Sequence, residues 1–147
     1  MTAGVATRLN DRITITPILV PHRDEFSETA GFIITGPEKT ILFIPDIDKW
    51  EKFPAITSLI SGCDIALLDG TFFDGEELPG RDMREIPHPF IVESMAHFHH
   101  LPDNDKSKIC FIHFNHTNPL LVPGSNETIV VREAGFCIAE RKMIFKI

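Results

Sequence analysis

Short apolar runs bounded by turn-forming residues constrain the fold of this chain more than any other feature. The runs cover residues 13–20, 41–44, 65–68 and 109–112, and apolar and polar side chains alternate little within them. Buried strands of parallel or mixed sheets have this pattern because both of their faces are covered. The sequence therefore predicts a sheet whose central strands are largely buried.

Two helical patterns interrupt the strand-like runs. Apolar side chains at helical spacing predict one helix from residue 49 or 50 to about residue 60, with Asp48 as its N-cap, and a second over residues 90–101. Strands are predicted over residues 12–20, 30–35, 40–44, 64–68 and 108–114, and the segments 128–131, 135–139 and 143–146 are predicted to form a terminal strand pair or meander. The resulting order, β-β-β-α-β-loop-α-β-β-β, predicts an α/β (α+β) fold in which helices cover one face of a mixed sheet.

The length of 147 residues fits one ordinary domain. We expect a lead-in segment over residues 1–11 and a single unit over residues 12–147. Residues 71–87 are predicted to form a long loop with two prolines and several acidic side chains. Loops of this length in compact domains are typically functional lids or mobile segments.

Charge and cysteine content narrow the possible partners and the compartment. The formal net charge of −7 argues against nonspecific binding to nucleic acid. Cys63, Cys110 and Cys137 are far apart and form no C-x-x-C pair, which is typical of reduced thiols in the cytoplasm. Residues 1–11 lack the apolar core of a signal peptide, and no run approaches the roughly 20 apolar residues of a membrane span.

Three potential metal ligands follow separate strand-like runs. His22 follows the first run, Asp46 follows residues 40–44, and His113 closes residues 109–112. Two imidazoles and a carboxylate brought together would suit zinc, iron or manganese. The alternatives are a solvated His22 in a charged loop and an N-cap role for Asp46, although Asp48 competes for that role.

Two further histidines are candidates for catalysis or substrate contact. His88 lies between two prolines, which restrict the backbone around it, and its alternative is a solvated loop position. His116 forms H-x-x-H with His113, a spacing that is weak as a motif by itself. His97 and His100 lie three residues apart near the end of the second predicted helix, where we expect them to be solvated.

Several segments together resemble the C-terminal half of the metallo-β-lactamase fold, with the greatest similarity to the pyrroloquinoline quinone (PQQ) biosynthesis protein B family and related hydrolases. The matching segments are residues 22–32, 44–48, 68–72, 88–89, 111–120, 135–136 and 139–140. They occur in the family order and span roughly residues 12–140.

The resemblance implies roles for the candidate residues. His22 would bind one metal, Asp46 would bridge two metals, and His113 would bind the second. His88 would lie on the substrate side, similar to a histidine motif of tRNA-processing ribonucleases. His116 would support a ligand or face the substrate. The implied activity is metal-dependent hydrolysis, or oxygen chemistry, on a small molecule.

The chain departs from this family in one respect that affects both the site and the fold. The H-x-H-x-D-H motif, which supplies most metal ligands in the first half of the fold, is absent. We therefore expect a half-domain that binds metal weakly, and that pairs as a homodimer or with a missing N-terminal half. The alternatives are a noncatalytic carrier or interaction module and, from fold analogy alone, an RNA-processing nuclease.

Overall fold

A computed structural model describes residues 1–23 and 25–147 and, at position 84, the backbone alone. Asp24, part of the segment 22–32 that carries the family resemblance, lies outside the described residues. Within them, seven strands form one sheet whose spatial order follows the chain order. The strands are β1 (Thr7–Arg8), β2 (Thr14–Leu19), β3 (Ala30–Thr35), β4 (Thr40–Ile44), β5 (Ile65–Asp69), β6 (Ile109–Ile112) and β7 (Cys137–Ile138).

The pairing of the sheet changes from antiparallel to parallel at β4. Strands β1 to β4 pair antiparallel, and β3 and β4 are joined by a tight turn in which the Gly36 amide donates to the Lys39 carbonyl at 2.9 Å. Strands β4 to β7 pair parallel, which requires crossover connections. The described helices are α1 (Ile56–Ser61), α2 (Ile91–Phe98), α3 (Asp103–Lys106) and α4 (Asn126–Glu133), and none of them is long and apolar enough to span a bilayer.

The hydrophobic core lies between one face of the sheet and three of the helices. Alternate strand residues form that face, and residues of α1, α2 and α4 pack against them in one cluster. The strands contribute Leu42, Ile44, Ala66, Leu68, Ile109, Phe111 and Ile138, and the helices contribute Ile56, Ile60, Ile91, Phe98 and Val131. This arrangement confirms the predicted mixed sheet with helices on one face.

The opposite face of the central sheet is apolar but much less covered. Phe32, Ile34, Phe43, Ile65 and Leu67 alternate with the core residues along β3, β4 and β5. All five are only partly buried, and none belongs to either hydrophobic cluster of the described residues. Ile41, which lies between Ile34 and Ile65 on this face, is 7% exposed. We call this surface the open sheet face. Burial of apolar area is worth about 25 cal/mol per Å², so leaving this face wet is unfavourable.

The predicted helix over residues 50–60 is divided by a proline. The structure has a 3₁₀ turn at Trp50–Lys52 and begins α1 only at Ile56. Pro54 lies between the two, and proline disfavours helical backbone at the preceding residue. Phe53 accordingly has φ −129° and ψ 68°, outside the helical region.

The three predicted C-terminal strands are mostly wrong. Residues 128–131 lie within α4, residues 143–146 are not in a strand, and only Cys137–Ile138 of the predicted 135–139 pairs with the sheet. The run Thr-Ile-Val-Val favours strand by local propensity. The helix forms instead because the Ser125 side chain accepts a hydrogen bond from the Thr128 amide at 3.1 Å and Thr128 and Val131 share a buried face.

Residues 71–87, predicted as a loop, carry a small apolar cluster. Phe72, Met83 and Ile86 are buried together, and Leu78 and Phe90 pack against them. A 3₁₀ turn over Met83–Glu85 lies within the segment. The segment therefore packs on itself, and it contacts the start of α2 through Phe90.

A buried hydrogen bond joins the 3₁₀ turn at Trp50–Lys52 to α2. Trp50 is 2% exposed, and its Nε1 donates to the Oγ atom of Ser94, which is fully buried on α2, at 2.8 Å. The indole also packs at 5.3 Å from the ring of Phe98. The serine hydroxyl thus satisfies a donor that would otherwise be buried alone.

Replacing Ser94 with alanine should lower the free energy of unfolding by about 1–3 kcal/mol, because it leaves the buried indole N–H without an acceptor. Ser58→Ala makes the same chemical change at an exposed position of α1 and should change the stability by less than about 0.5 kcal/mol. Urea unfolding of the two variants measures the difference. Equal losses at both positions would contradict the role assigned to Ser94.

Candidate metal centre

The direction of the strands places several polar residues at one edge of the sheet. β2 and β4 are both antiparallel to β3, so they run in the same direction, and β5 and β6 are parallel to β4. The carboxyl ends of these four strands therefore lie at one edge. Binding groups collect at such an edge in open α/β sheets.

A backbone hydrogen bond joins the segments that carry the first two candidates. The amide of Asp48 donates to the carbonyl of Pro21 at 2.7 Å. This bond fixes the segment after β4 beside the segment after β2. His22 and Asp46 consequently face each other, with His22 Nε2 at 3.2 Å from Asp46 Oδ1.

His88 completes a cluster with these two residues. Its Nδ1 atom is 3.5 Å from Asp46 Oδ1, and its ring centroid is 5.3 Å from that of His22. One potential ligand atom from each of His22, Asp46 and His88 lies within 4.8 Å of the other two. We call these three residues the triad cluster. It is the one such group of three found among the described residues.

The chemistry of the triad cluster fits a divalent metal. The imidazoles are mostly buried, with 14% of the His22 side chain and 15% of the His88 side chain exposed. His22 Nδ1 and Asp46 Oδ1 are buried and have no hydrogen-bond partner among the described residues. Buried polar atoms normally have a partner. Two imidazole nitrogens and one carboxylate oxygen form the ligand set of several catalytic zinc sites.

Asp69, at the end of β5, contacts His88 of the triad cluster. Its carboxylate is fully buried. Oδ1 accepts hydrogen bonds from the amide and hydroxyl of Thr71 at 2.9 and 2.7 Å, and Oδ2 accepts from the Ile47 amide at 3.2 Å. Oδ2 also lies 2.8 Å from His88 Nδ1. A carboxylate paired with one imidazole nitrogen fixes the ring and leaves the other nitrogen available, as in carboxylate–histidine–zinc arrangements.

This pairing also changes the acidity of His88. Burial disfavours the charged imidazolium, but the hydrogen bond to Asp69 and the negative charges of Asp69, Asp46 and Asp48 outweigh it and raise the pKa of His88. Without a metal, His88 thus keeps its proton to a higher pH than an ordinary histidine. A metal ion would compete with that proton, because a ligating imidazole must be neutral.

Two basic side chains hold the segment that carries His88. Lys49 Nζ donates to the His88 carbonyl at 3.0 Å and pairs with Glu93 at the start of α2. Arg23, next to His22, donates to the Glu85 carbonyl at 2.9 Å. The prolines beside His88 and these two contacts position a loop histidine that is remote in sequence from His22 and Asp46.

His113, predicted as a metal ligand, lies beside the triad cluster and outside the group of three. Its residue is exposed and adopts φ 64°, and its ring centroid is 6.3 Å from that of His88. Its Nδ1 atom lies 3.2 Å from the hydroxyl of Thr71. Because that hydroxyl also contacts Asp69 and is 3.3 Å from His88 Nδ1, one threonine connects His113 to the buried network.

His116 is exposed, and none of the contacts described for the chain joins it to the triad cluster. Asn118, two residues later, has a structural role: its buried amide Nδ2 donates to the carbonyls of Gly70 and Thr71 at 2.9 and 3.2 Å. The segment after β6 therefore fixes the turn after β5. His97 and His100 lie at the end of α2 and take no part in the triad cluster.

The turn after β5 needs glycine at position 70. A Cβ atom there would lie 3.0 Å from the Ile112 carbonyl oxygen and 3.0 Å from Phe111 Cβ. The Gly70 amide donates to that same carbonyl at 2.9 Å. Close approach of β5 and β6 at this point thus places Thr71 between His88 and His113.

Sequence reasoning missed Asp69 and Thr71 as site residues. The available signal was the run Leu-Leu-Asp-Gly-Thr, in which a carboxylate ends a buried apolar strand as Asp46 does after β4. A buried carboxylate must be paired or bind a metal. The same argument that selected Asp46 would therefore have selected Asp69.

Comparison with known proteins identifies relatives of the chain. A family model described as the beta-lactamase superfamily domain matches residues 1–114. Coenzyme PQQ synthesis protein B of Gluconobacter oxydans is 28% identical over 125 residues, covering 82% of this chain and 40% of the relative. The protein of the same name from Methylorubrum extorquens is 27% identical over 123 residues, covering 78% and 40%. The chain thus spans less than half the length of these curated relatives.

A solved structure has the same fold. The crystal structure of zinc-bound PqqB from Methylobacterium extorquens matches with a TM-score of 0.82 and 20% sequence identity. The match covers 100% of this chain and 55% of that protein. At this identity the likeness establishes the fold of the chain, which is the predicted metallo-β-lactamase-like fold.

Asp69→Asn should lower the pKa of His88 in metal-free protein, because it removes the nearest negative charge that favours the imidazolium. A raised pKa in the folded state adds stability below the ordinary histidine value of about 6.5, and this stability is lost as the pH rises through the folded-state pKa. The free energy of unfolding of the wild type should therefore decrease as the pH rises from about 6.5 through the folded-state pKa of His88, and that of the variant should decrease less. NMR titration of the His88 ring, after chelator treatment, gives the pKa directly. An unchanged His88 pKa in the variant would contradict this coupling.

Proposed function

The chain belongs to the metallo-β-lactamase superfamily, and from this membership we propose that its triad cluster binds a divalent metal and serves metal-dependent hydrolysis of a small molecule. Zinc is the metal we propose first, with iron or manganese as alternatives, because imidazole and carboxylate ligands suit all three. The proposal places the chain functionally near coenzyme PQQ synthesis protein B.

The observation that carries this proposal is the convergence of His22, Asp46 and His88. They come from three separate segments, yet their potential ligand atoms lie within 4.8 Å of one another. Two of the buried polar atoms in this group have no hydrogen-bond partner among the described residues. A cation in the triad cluster would give Asp46 Oδ1 a partner and offset the charge of its carboxylate.

The side chains of the site would divide the chemistry between them. When bound, a divalent metal supplies Lewis-acid activation of water and of an electrophile. Asp46, with 37% of its side chain exposed, would hold the cation at the mouth of the site. Asp69 would orient His88 by accepting a hydrogen bond from its Nδ1. Thr71 would orient His113 through the contact between its hydroxyl and His113 Nδ1.

We propose separate roles for His113 and His116, the two histidines predicted in the site that lie outside the triad cluster. His113 was predicted to bind a second metal, and its Nδ1 atom contacts the Thr71 hydroxyl, which also contacts Asp69 and His88. His116 was predicted as a catalytic residue; its exposure favours a contact with substrate over binding of a buried metal. We propose His88 primarily as a ligand, and as a proton donor only when no metal occupies its free nitrogen.

Metal binding should be weak and should depend on Asp46. We expect isothermal titration of the chelator-treated chain with zinc to show one weak site, because only three protein ligands meet there. Asp46→Asn should weaken binding by at least about tenfold, and Asp69→Asn by about 10–100-fold through its support of His88.

Asp103→Asn provides the matched control for this titration. Asp103 lies on α3, and its carboxylate pairs with Lys106 at 2.8 Å, so zinc affinity should be nearly unchanged. His88→Ala and His113→Ala then show which histidine binds the metal with His22 and Asp46. Zinc binding that is lost in His88→Ala and kept in His113→Ala supports the triad cluster. Zinc binding that survives Asp46→Asn at full affinity would place the metal elsewhere.

A second candidate function, an interaction module, is favoured by the open sheet face. Monomeric soluble proteins rarely leave a contiguous apolar surface of this kind uncovered. We propose that another protein surface covers it, either the remainder of a longer protein or, for the chain alone, a second copy. Two identical copies would use the same face in a C₂ pairing.

The chain alone should therefore self-associate through the open sheet face. Light scattering at micromolar concentration should give a mass above that of the 16.6 kDa monomer. Leu67→Asp, in the middle of the face, should shift the protein to monomer. Ile129→Asp changes an exposed apolar residue of α4 and should leave the mass unchanged. A stable wild-type monomer would show that the face needs no partner.

A further inference from the structure

Two free cysteines lie side by side at the edge of the sheet, away from the triad cluster. Cys110 in β6 and Cys137 in β7 are directly paired in the strand register, and their Sγ atoms are 2.9 Å apart. Both alternate with core residues of their strands, so both lie on the same side as the open sheet face. They are 27 positions apart in sequence, and no motif indicates the pair.

The two thiols differ in access and in acidity. Cys110 is 1% exposed, whereas Cys137 is partly exposed on the outermost described strand. The hydrogen bond donated by the Cys110 thiol and, against the effect of burial, the positive charge of Arg132 lower the pKa of Cys137 to about 7, while Glu140 opposes this change. The pKa of Cys110 is raised by the same contact and by burial. Cys137 is therefore the nucleophile of the pair.

We propose that Cys110 and Cys137 form a reactive dithiol that reduces low-molecular-weight disulfides and closes into a cross-strand disulfide. This inference concerns a modification site and does not depend on the proposed metal chemistry. The geometry of the pair carries it: neighbouring strands lie about 4.8 Å apart, within the 4.4–6.8 Å range of Cα separations seen in disulfides.

The reaction takes two exchange steps. The Cys137 thiolate attacks one sulfur of the small disulfide, forming a mixed disulfide and releasing one small thiolate. Cys110 then gives up its proton and its sulfur attacks Cys137 Sγ, which releases the second small thiolate. The protein loses two electrons and two protons, and the small disulfide gains them as two thiols. No other oxidant is required.

Cys63 is the natural control within the same chain. It is buried, its thiol donates to the Ile60 carbonyl at 3.3 Å, and burial raises its pKa. It has neither a neighbouring cysteine partner in the described residues nor an exposed surface. Its reactivity in the native protein should therefore be far lower than that of Cys137.

The test treats the native full chain with oxidised glutathione and maps the products by mass spectrometry. The Leu67→Asp variant is treated in parallel, so that self-association through the open sheet face does not cover Cys137. The expected product of the wild-type chain has lost two hydrogens and yields a Cys110–Cys137 cross-linked peptide. Cys63→Ser should give the same product. Cys110→Ser should stop at one glutathione attached to Cys137, because the resolving sulfur is absent. Alkylation of native protein should be about tenfold or more faster at Cys137 than at Cys63.

Other outcomes would overturn the inference. Wild-type protein that stops at the mixed disulfide would show that Cys110 cannot resolve it. Thiols that react only after unfolding, or Cys63 reacting as fast as Cys137, would show that the pair has no special reactivity. Peptide mapping of the wild type decides these cases even if Cys110→Ser fails to fold.

Discussion

The buried carboxylate of Asp69 is the constraint on which the candidate site depends. A charge with no solvent contact is tolerated only when hydrogen-bonded partners surround it. Here the partners come from three segments: the Ile47 amide after β4, Thr71 after β5, and His88 from the following loop. Satisfying this one carboxylate therefore fixes the positions of Asp46, the turn after β5 and His88 together. The site is a consequence of how the fold neutralises a buried charge.

The two faces of the sheet separate the proposed activities of the chain. One face is sealed by α1, α2 and α4 and makes the structure stable. The other is apolar and partly buried, and it carries the cysteine pair at its β7 edge. The triad cluster lies at the carboxyl ends of the strands, between these faces. The interaction proposal and the metal-binding proposal therefore concern different residues, and substitutions on the open sheet face and in the triad cluster test them separately.

Local patterns predicted the central strands well because their signal is strong at short range, but they missed β1 (Thr7–Arg8), which lies within the predicted lead-in segment. The predicted runs 30–35 and 40–44 match β3 and β4, and the predicted run at 64–68 differs from β5 by one residue at each end. The errors lie where another force outweighs propensity. Pro54 divides a helix that the apolar spacing alone would continue. The Ser125 cap and a buried face convert a β-branched run into α4. Steric restriction before a proline decided the first case, and a side-chain cap with burial decided the second.

By itself, the sequence determined the fold class and the family resemblance, and it indicated His22 and Asp46 as metal ligands and His88 as a residue for catalysis or substrate contact. His22 and Asp46 follow strands, and strand direction brings strand ends to a common edge. Only the tertiary structure decided that His88 joins them and that His113 lies beyond Thr71. It also decided that Cys110 faces Cys137. These contacts join residues that are far apart in the chain, and strand register and loop packing set them. Neither leaves a periodic signal in the sequence.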